Sequence, residues 1–418
     1  MRLLSVAVMA SLLPAVPATA ASAQAGTTYY VDSKAGDDAA AGTSASAAWK
    51  SLDKVNAADL KPGDTIAVKR GSAFTGTLTL AAKGTAARPI SVKAYGTGPL
   101  ARISGGTDAD CVMIAGNHWR VSGLRASGCR WAGFQIDGDD NQLSGVQADR
   151  NIAGVFVTAS GSRNIIRDSV LTDNNRMSVN DKGGDDDSGA FGVLLNGDDN
   201  VVTGNTITGS FAKSEDYGTD GAAVEIFNGD RNVVTRNVSR DNETFTELGA
   251  QKGKTATGNV FAFNVVTSSR SRGSFLITRG SGHIVGPVKG TVAVHNSVYL
   301  PAKDTVGWSC HDGCAPSILK LRNNVIAVGG EAGWEDGSGA DEAGSVYQGR
   351  TSKFKLGPKS IMADPRFVSR TDLRLRPGSP ALGRGLSLTH KWYGGKTYAR
   401  DAAGKLVAGA PDAGAYQQ

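Results

Sequence analysis

With 418 residues the chain is long for one ordinary core, and 55 glycines with aromatics at 6% leave little material for long amphipathic helices. Lys and Arg outnumber Asp and Glu by 45 to 39, a formal charge of +6. The signs are interleaved without an aromatic–basic platform, which excludes a nucleic-acid binder and leaves an acidic polysaccharide open as partner.

At the start, Arg2 is followed by the apolar run Leu3 to Val16 and by small residues at Ala21-Ser22-Ala23 and Ala25. This pattern predicts a secretory signal peptide over 1–25. No later stretch is long and apolar enough for a membrane span, so the expectation is a secreted, extracellular protein without membrane contacts. Four cysteines suit that compartment. Cys111 and Cys129 fall near one point of neighbouring repeats, and Cys310 and Cys314 bracket a short loop, so the pairs Cys111–Cys129 and Cys310–Cys314 are expected as disulfides. A zinc site at Cys310-His311-Cys314 is the alternative, but it lacks a second ligand pair.

From Asn141 onward one pattern keeps returning: Asn, two mostly apolar residues, a polar residue, then a second Asn or small residue. It reads Asn141-Gln-Leu-Ser-Gly, Asn164-Ile-Ile-Arg-Asp, Asn200-Val-Val-Thr-Gly-Asn205, Asn232-Val-Val-Thr-Arg-Asn237 and Asn259-Val-Phe-Ala-Phe-Asn264. Weaker copies follow at Thr291–Asn296 and Leu319–Asn324. Short apolar strands at such a period, with no helix between them, predict an all-β solenoid of parallel strands. Stacking then converts sequence spacing into distance, one coil being roughly 4.8 Å. The asparagines at 205, 237, 264, 296 and 324 read as a hydrogen-bonded ladder of turns, because Asn tolerates left-handed backbone.

Ahead of the repeat, Ser51-Leu-Asp-Lys-Val55 predicts a short helix, followed by Lys61-Pro-Gly-Asp64-Thr-Ile-Ala-Val and Arg70-Gly-Ser-Ala-Phe74. This opening resembles the N-terminal cap of the right-handed parallel β-helix, or pectin-lyase-like, superfamily. The tail segments Ala363-Asp364-Pro365-Arg-Phe367, Leu375-Arg-Pro377-Gly-Ser-Pro380 and Asp412-Ala-Gly414-Ala-Tyr416 are similar to the closing segment of secreted members. The resemblance implies one right-handed β-helix domain over 26–418, with a cap at about 26–89, coils at about 90–330 and a closing segment at about 331–418. It specifies fold well and substrate poorly, since the superfamily holds lyases, hydrolases, epimerases and adhesins.

Two steps between coils are overlong, Val157 to Val193 and Val193 to Glu225. The polar extras, Asp173–Ser188 and Phe211–Asp220, are expected as loops that wall a groove. Lys303–Ala315 reads as a further insertion. Beside the loops, Glu225 in Val224-Glu-Ile-Phe227 and Glu247 in Phe245-Thr-Glu-Leu248 replace apolar strand residues one coil apart. In register, the two carboxyls would stand roughly 5 Å apart, the spacing of a retaining glycosidase, and would push each other's pKa values apart. The plainer reading is a pair of solvated surface acids. The segment from Val224 to Leu248 resembles β-helical glycoside hydrolases, including a β-xylosidase family; that resemblance implies Glu225 as nucleophile and Glu247 as acid/base, although the nucleophile there is usually Asp. Phe227 and Phe245 share the parity of the glutamates and are expected outward as sugar-stacking platforms, unless a bulge breaks the alternation.

The basic residues Lys252, Lys254, Arg270, Arg272 and Arg279 follow Glu247. Lyases of the superfamily use a Lys or Arg base and often Ca²⁺. On that second reading Glu225, Glu247, Asp216 and Asp220 become calcium ligands, with Lys252 or an Arg as base. Asp185-Asp186-Asp187 reads as a solvated loop, and His283 and His295 as turn histidines. The expected protein is a monomeric polysaccharide-degrading hydrolase without cofactor, its groove lined by Asp216, Asp220, Phe227, Phe245, Lys252, Arg272 and Arg279. A calcium-dependent lyase and a non-catalytic carbohydrate-binding β-helix remain as alternatives.

Overall fold

The computed structural model describes residues 25–106, 110–395 and 399–418. The expected signal peptide lies outside the described residues except for Ala25. Three parallel sheets of 12, 11 and 12 strands run along the chain. Successive strands enter different sheets, so every third strand returns to the same one. Trp119–Ser122, Leu124–Ser127 and Ala132–Ile136 make one coil, and Gln142–Ser144, Gln147–Asp149 and Ala153–Val157 make the next. They stack through Val121↔Leu143, Ala126↔Ala148 and Phe134↔Val155. This is the right-handed parallel β-helix.

The repeat encodes this geometry directly. In the short strands that carry the repeat, such as Gln142–Ser144 and Val201–Thr203, the middle residue points inward and its neighbours outward. Val121, Leu143, Ile166, Val202, Val234 and Phe261 form one inward column, all fully buried. At the turns, the N–H of Asn205 donates to Asn237 Oδ1, and the pattern continues through Asn264, Asn296 and Asn324 at 3.0 Å per step. A second ladder joins Asn141, Asn164, Asn200, Asn232 and Asn259 at 2.9 Å per step. Thus the first asparagine of the repeat is as structural as the second, each satisfying turn backbone that water cannot reach.

The sheets extend beyond the expected 90–330. Thr28–Val31 and Thr65–Lys69 already pair in the first sheet, and strands continue to Ile361–Met362. The expected helix is Leu52–Asn56, with the Ser51 hydroxyl accepting from Lys54 N–H as N-cap. At the other end the chain folds back along the coils. Buried His295 packs its ring on Phe263 and Tyr393 and meets Gly414 O at 3.3 Å.

Both disulfides form, Cys111–Cys129 and Cys310–Cys314, which removes the zinc alternative. Lys303–Ala315 is not an insertion: Asp304–His311 is an eight-residue strand of the 11-stranded sheet, with Trp308 fully buried in the core. Among the described residues no helix is long and apolar enough to cross a membrane.

Candidate active site

The 11-stranded sheet carries both glutamates. Ala222–Phe227 and Thr244–Gly249 pair in parallel, with Glu225 directly opposite Glu247. Their neighbours Val224, Ile226, Thr246 and Leu248 are buried inward, so both acids project from the outer face one rung apart.

Phe227 shares that face, its ring lying over Gly249. Phe245 does not. It is 1% exposed and stacks on Phe275 inside the solenoid, with ring centroids 5.6 Å apart. The ladder explains the exception. Pairing is regular at Ala222↔Thr244 and Val224↔Thr246 but skips the position between, and the same skip recurs in neighbouring coils at Gly133, Gly154, Gly192 and Gly307. The sheet bends at this column, so two successive residues point inward. Glycine fills the tight coils; a Cβ at Gly154 would lie 2.6 Å from Gly192 O. Phe245 and Phe275 fill the wider ones and are core residues, not sugar platforms.

Both inserted loops are antiparallel hairpins, Met177–Val179 with Ser188–Gly189 and Ala212–Ser214 with Gly218–Asp220. They immediately precede strands of the 11-stranded sheet, and they grip each other. The buried Asp187 carboxylate accepts from Ser214 Oγ at 2.6 Å and from Asp216 N–H at 3.0 Å. Asp216 in return accepts from the N–H groups of Gly183 at 2.7 Å and Asp186 at 3.3 Å. Asp216 is therefore a clasp between loops, and Asp187 is no solvated loop acid. Arg176 donates to Cys129 O at 2.9 Å and Arg272 to Tyr217 O at 3.1 Å, which ties the clasped pair down at both ends. Arg272 also pairs with Glu243 at 3.2 Å, so it supports the wall.

The two glutamates have unlike surroundings. Glu247 is ion-paired to Arg279, whose side chain is 12% exposed. Glu225 accepts no hydrogen bond among the described residues. Burial pushes its carboxyl well above the usual range, the charges of Glu247 and Asp220 push the same way, and Arg279 opposes them. Asp220 is raised to about 7, first by burial and then by Glu247, Glu243 and Asp187, against its hydrogen bond from Gly221 N–H. Tyr217, on the hairpin tip, is raised to about 12 by burial and by four acids including Glu247. Sequence reasoning did not single out Tyr217, because nothing in its pattern marks a hairpin tip that feels the charge of Glu247.

Of the expected lyase residues, Lys252 lies exposed on the turn after Glu247 and makes no hydrogen bond or ion pair among the described residues. Arg270 stacks on Phe211, and Arg272 and Arg279 are held by acids. Calcium needs several charged oxygens converging. Burial raises the Glu225 carboxyl, and Glu247 is ion-paired to Arg279. Among the described residues, the one group of three potential ligands within 4.8 Å of one another is His283, His311 and Asp312. A depression of about 410 Å³ lies elsewhere, against Val233, Phe263 and Tyr393, and no acid lines it.

Comparison with known proteins agrees with this architecture. A family model described as "Periplasmic copper-binding protein (NosD)" matches residues 96–278, less than half of the chain. A lacto-N-biosidase of Bifidobacterium longum subsp. longum is 52% identical over 83 residues, 19% of this chain, which spans only 5% of that relative's length. Among solved structures, pectate lyase Pel9A superposes with a TM-score of 0.64 at 15% identity, covering 94% of this chain and 97% of that one. The GH136 lacto-N-biosidase of Eubacterium ramulus superposes with a TM-score of 0.59 at 15% identity, covering 80% and 67%. Pairing, inward columns and superpositions lead to one conclusion: the chain has the right-handed parallel β-helix fold that this pectate lyase and this lacto-N-biosidase share.

Proposed function

We propose that the protein is a polysaccharide-acting enzyme, and specifically a retaining glycoside hydrolase that works through Glu225 and Glu247. The observation that carries this reading is the in-register pair, one rung apart on an outer face, with one carboxyl raised by burial and the other held by an arginine. Carboxyls roughly 5 Å apart suit double displacement, whereas inversion needs a wider gap for water.

The electrostatics favour the reverse of the roles implied by resemblance. Glu225, protonated at rest, gives its proton to the glycosidic oxygen as the leaving sugar departs. Glu247 attacks the anomeric carbon and forms a glycosyl ester, with Arg279 fixing its orientation. Glu225, now a carboxylate, takes a proton from water, whose oxygen releases the sugar from Glu247 and regenerates both groups. Tyr217 and Asp220 border the pair from the clasped hairpins. The local likeness to a lacto-N-biosidase supports a hydrolase. The two disulfides support a location outside the cytoplasm.

The lyase reading has the fold of Pel9A in its favour. Against it stand the engaged arginines and an acid pair unsuited to calcium. A digest of neutral and uronate-containing polysaccharides, followed by reducing ends and by ultraviolet absorbance of unsaturated products, separates the readings. Reducing ends without absorbance are expected; absorbance rising with them would establish elimination and overturn the hydrolase.

A further inference from the structure

The outward column through Glu225 and Glu247 continues along the solenoid. Glu247 pairs with Ile277, Ile277 with Ser309 and Ser309 with Trp334. Trp334 thus stands three rungs from Glu247 on the same face, roughly 14 Å away at strand spacing. His311, in the adjoining outward column opposite Arg279, sits with its ring centroid 5.1 Å from that of Trp334. His283 meets His311 edge-on at 5.8 Å. The Asp312 carboxylate lies 3.8 Å from both His283 Nε2 and His311 Nδ1.

This cluster is built rather than incidental. The Cys310–Cys314 disulfide closes its turn, and Asp336 accepts the N–H groups of Asp312, Gly313 and Cys314 at 2.8, 2.8 and 3.0 Å. Trp334, His283 and His311 all keep partial exposure, and none belongs to the apolar core.

A metal ion is the first occupant to consider, and the chemistry argues against it. His283 Nδ1 accepts Val285 N–H at 3.1 Å, so the neutral ring carries its proton on Nε2, the nitrogen facing Asp312. A ligating histidine is the other way round, donating from its second nitrogen. The Arg279 guanidinium next door disfavours added positive charge; with burial, it lowers the pKa of both imidazoles. What remains is an indole face, the N–H of His283, the N–H and lone pair of His311, and one carboxylate. That set recognises a ring that is apolar on its face and hydroxylated at its edge.

We propose that Trp334, His311, His283 and Asp312 form a sugar-binding subsite, in which Trp334 stacks on a monosaccharide ring and the other three bind its hydroxyls. Resting on the hydrolase reading of Glu225 and Glu247, the subsite makes the natural substrate an oligosaccharide or polysaccharide laid along the solenoid axis.

The test uses the full chain with both Glu225→Gln and Glu247→Gln, so that glycans bind without turnover. A panel of fluorescently labelled neutral and uronate oligosaccharides, from one to six sugars, is titrated against it. Affinity is expected to rise with length, to fall at least tenfold on Trp334→Ala or His311→Gln, and to recover in Trp334→Phe; thermal midpoints check folding. Length-independent binding, no binding by any panel member, or equal affinity in Trp334→Ala would overturn the subsite. So would a Zn²⁺ titration that binds at micromolar concentration and is abolished by His311→Gln. Trp334-dependent binding in a protein whose wild type releases no reducing ends would keep the subsite and sink the hydrolase. Hydrolysis with Trp334-independent binding would do the opposite.

Discussion

Arg279 reaches from its own strand to Glu247 one coil away, and its Nε and Nη1 are buried without a hydrogen-bond partner among the described residues. The guanidinium therefore serves the acid pair more than it serves itself, since unpaired buried donors are costly. It pairs with Glu247 and opposes the upward push of burial on Glu225.

The role assignment follows. Glu225→Gln is expected to lower kcat by about 10²- to 10⁴-fold on unactivated glycosides and far less on aryl glycosides with acidic leaving groups, which need no proton. Glu247→Gln should be inactive on both. Steady-state kinetics with the two substrate types decide it; the opposite pattern would restore Glu225 as nucleophile.

Removing the arginine should change the pH profile more than the fold. In Arg279→Met the term that lowers Glu225 disappears. The Glu225 proton is then held more tightly, and because the general acid must carry that proton, the alkaline limb of kcat/KM moves to higher pH. A limb at its wild-type position would mean that Arg279 is a spectator.

The hairpin clasp predicts local rather than global weakness. Asp187→Asn or Asp216→Asn should speed proteolytic cleavage or amide exchange in 173–190 and 211–221 roughly tenfold, leaving the coils protected. Asp187 is held below the usual carboxylate range: burial raises it, but the donors from Ser214, Asp216 and Asp181 outweigh that. Its contribution is therefore present above the unfolded value of about 3.9 and is lost as pH falls through the lower folded value. Uniform deprotection of the whole chain would contradict a local clasp.

His295 links overall stability to acid. Burial pushes its imidazole down to about 4 from 6.5, while hydrogen bonds to Gly414 and Asp412 oppose the shift. The unfolded chain then binds the extra proton between those values, so stability falls as pH drops from 6.5 toward 4. The full loss is about 3 kcal/mol. Denaturant unfolding from pH 7 to 4 should show this slope, and His295→Gln should flatten it; an unchanged slope would assign it elsewhere.

The sequence spoke clearly wherever one rule governed many positions. The Asn–Val–Val–Thr repeat encodes inward columns and turn ladders at once, and the spacing of Glu225 and Glu247 fixed their register because no residue is inserted between their coils. It spoke poorly where two coils had to be known together. Phe245 faces inward because of a bend inherited from Gly133, Gly154 and Gly192, which simple alternation from Glu247 cannot reveal. The mutual grip of Asp187 and Asp216, the hand of Arg279 on Glu247 and the meeting of His283 with His311 join residues 28 to 32 apart across loops of unequal length. Trp308, read as part of an insertion, was hidden by an eight-residue strand, matched in length only by its neighbour Arg272–Arg279 among the described residues.

The two asparagine ladders restrict how this molecule can change length. One residue added inside a strand would turn Glu247 into the core and Thr246 out of it, and would break a ladder on either side. Additions are absorbed only at the corners between strands, where both hairpins stand, or as whole coils. A lineage can therefore reshape the rim, or lengthen the rod, while the carboxylate pair stays opposed.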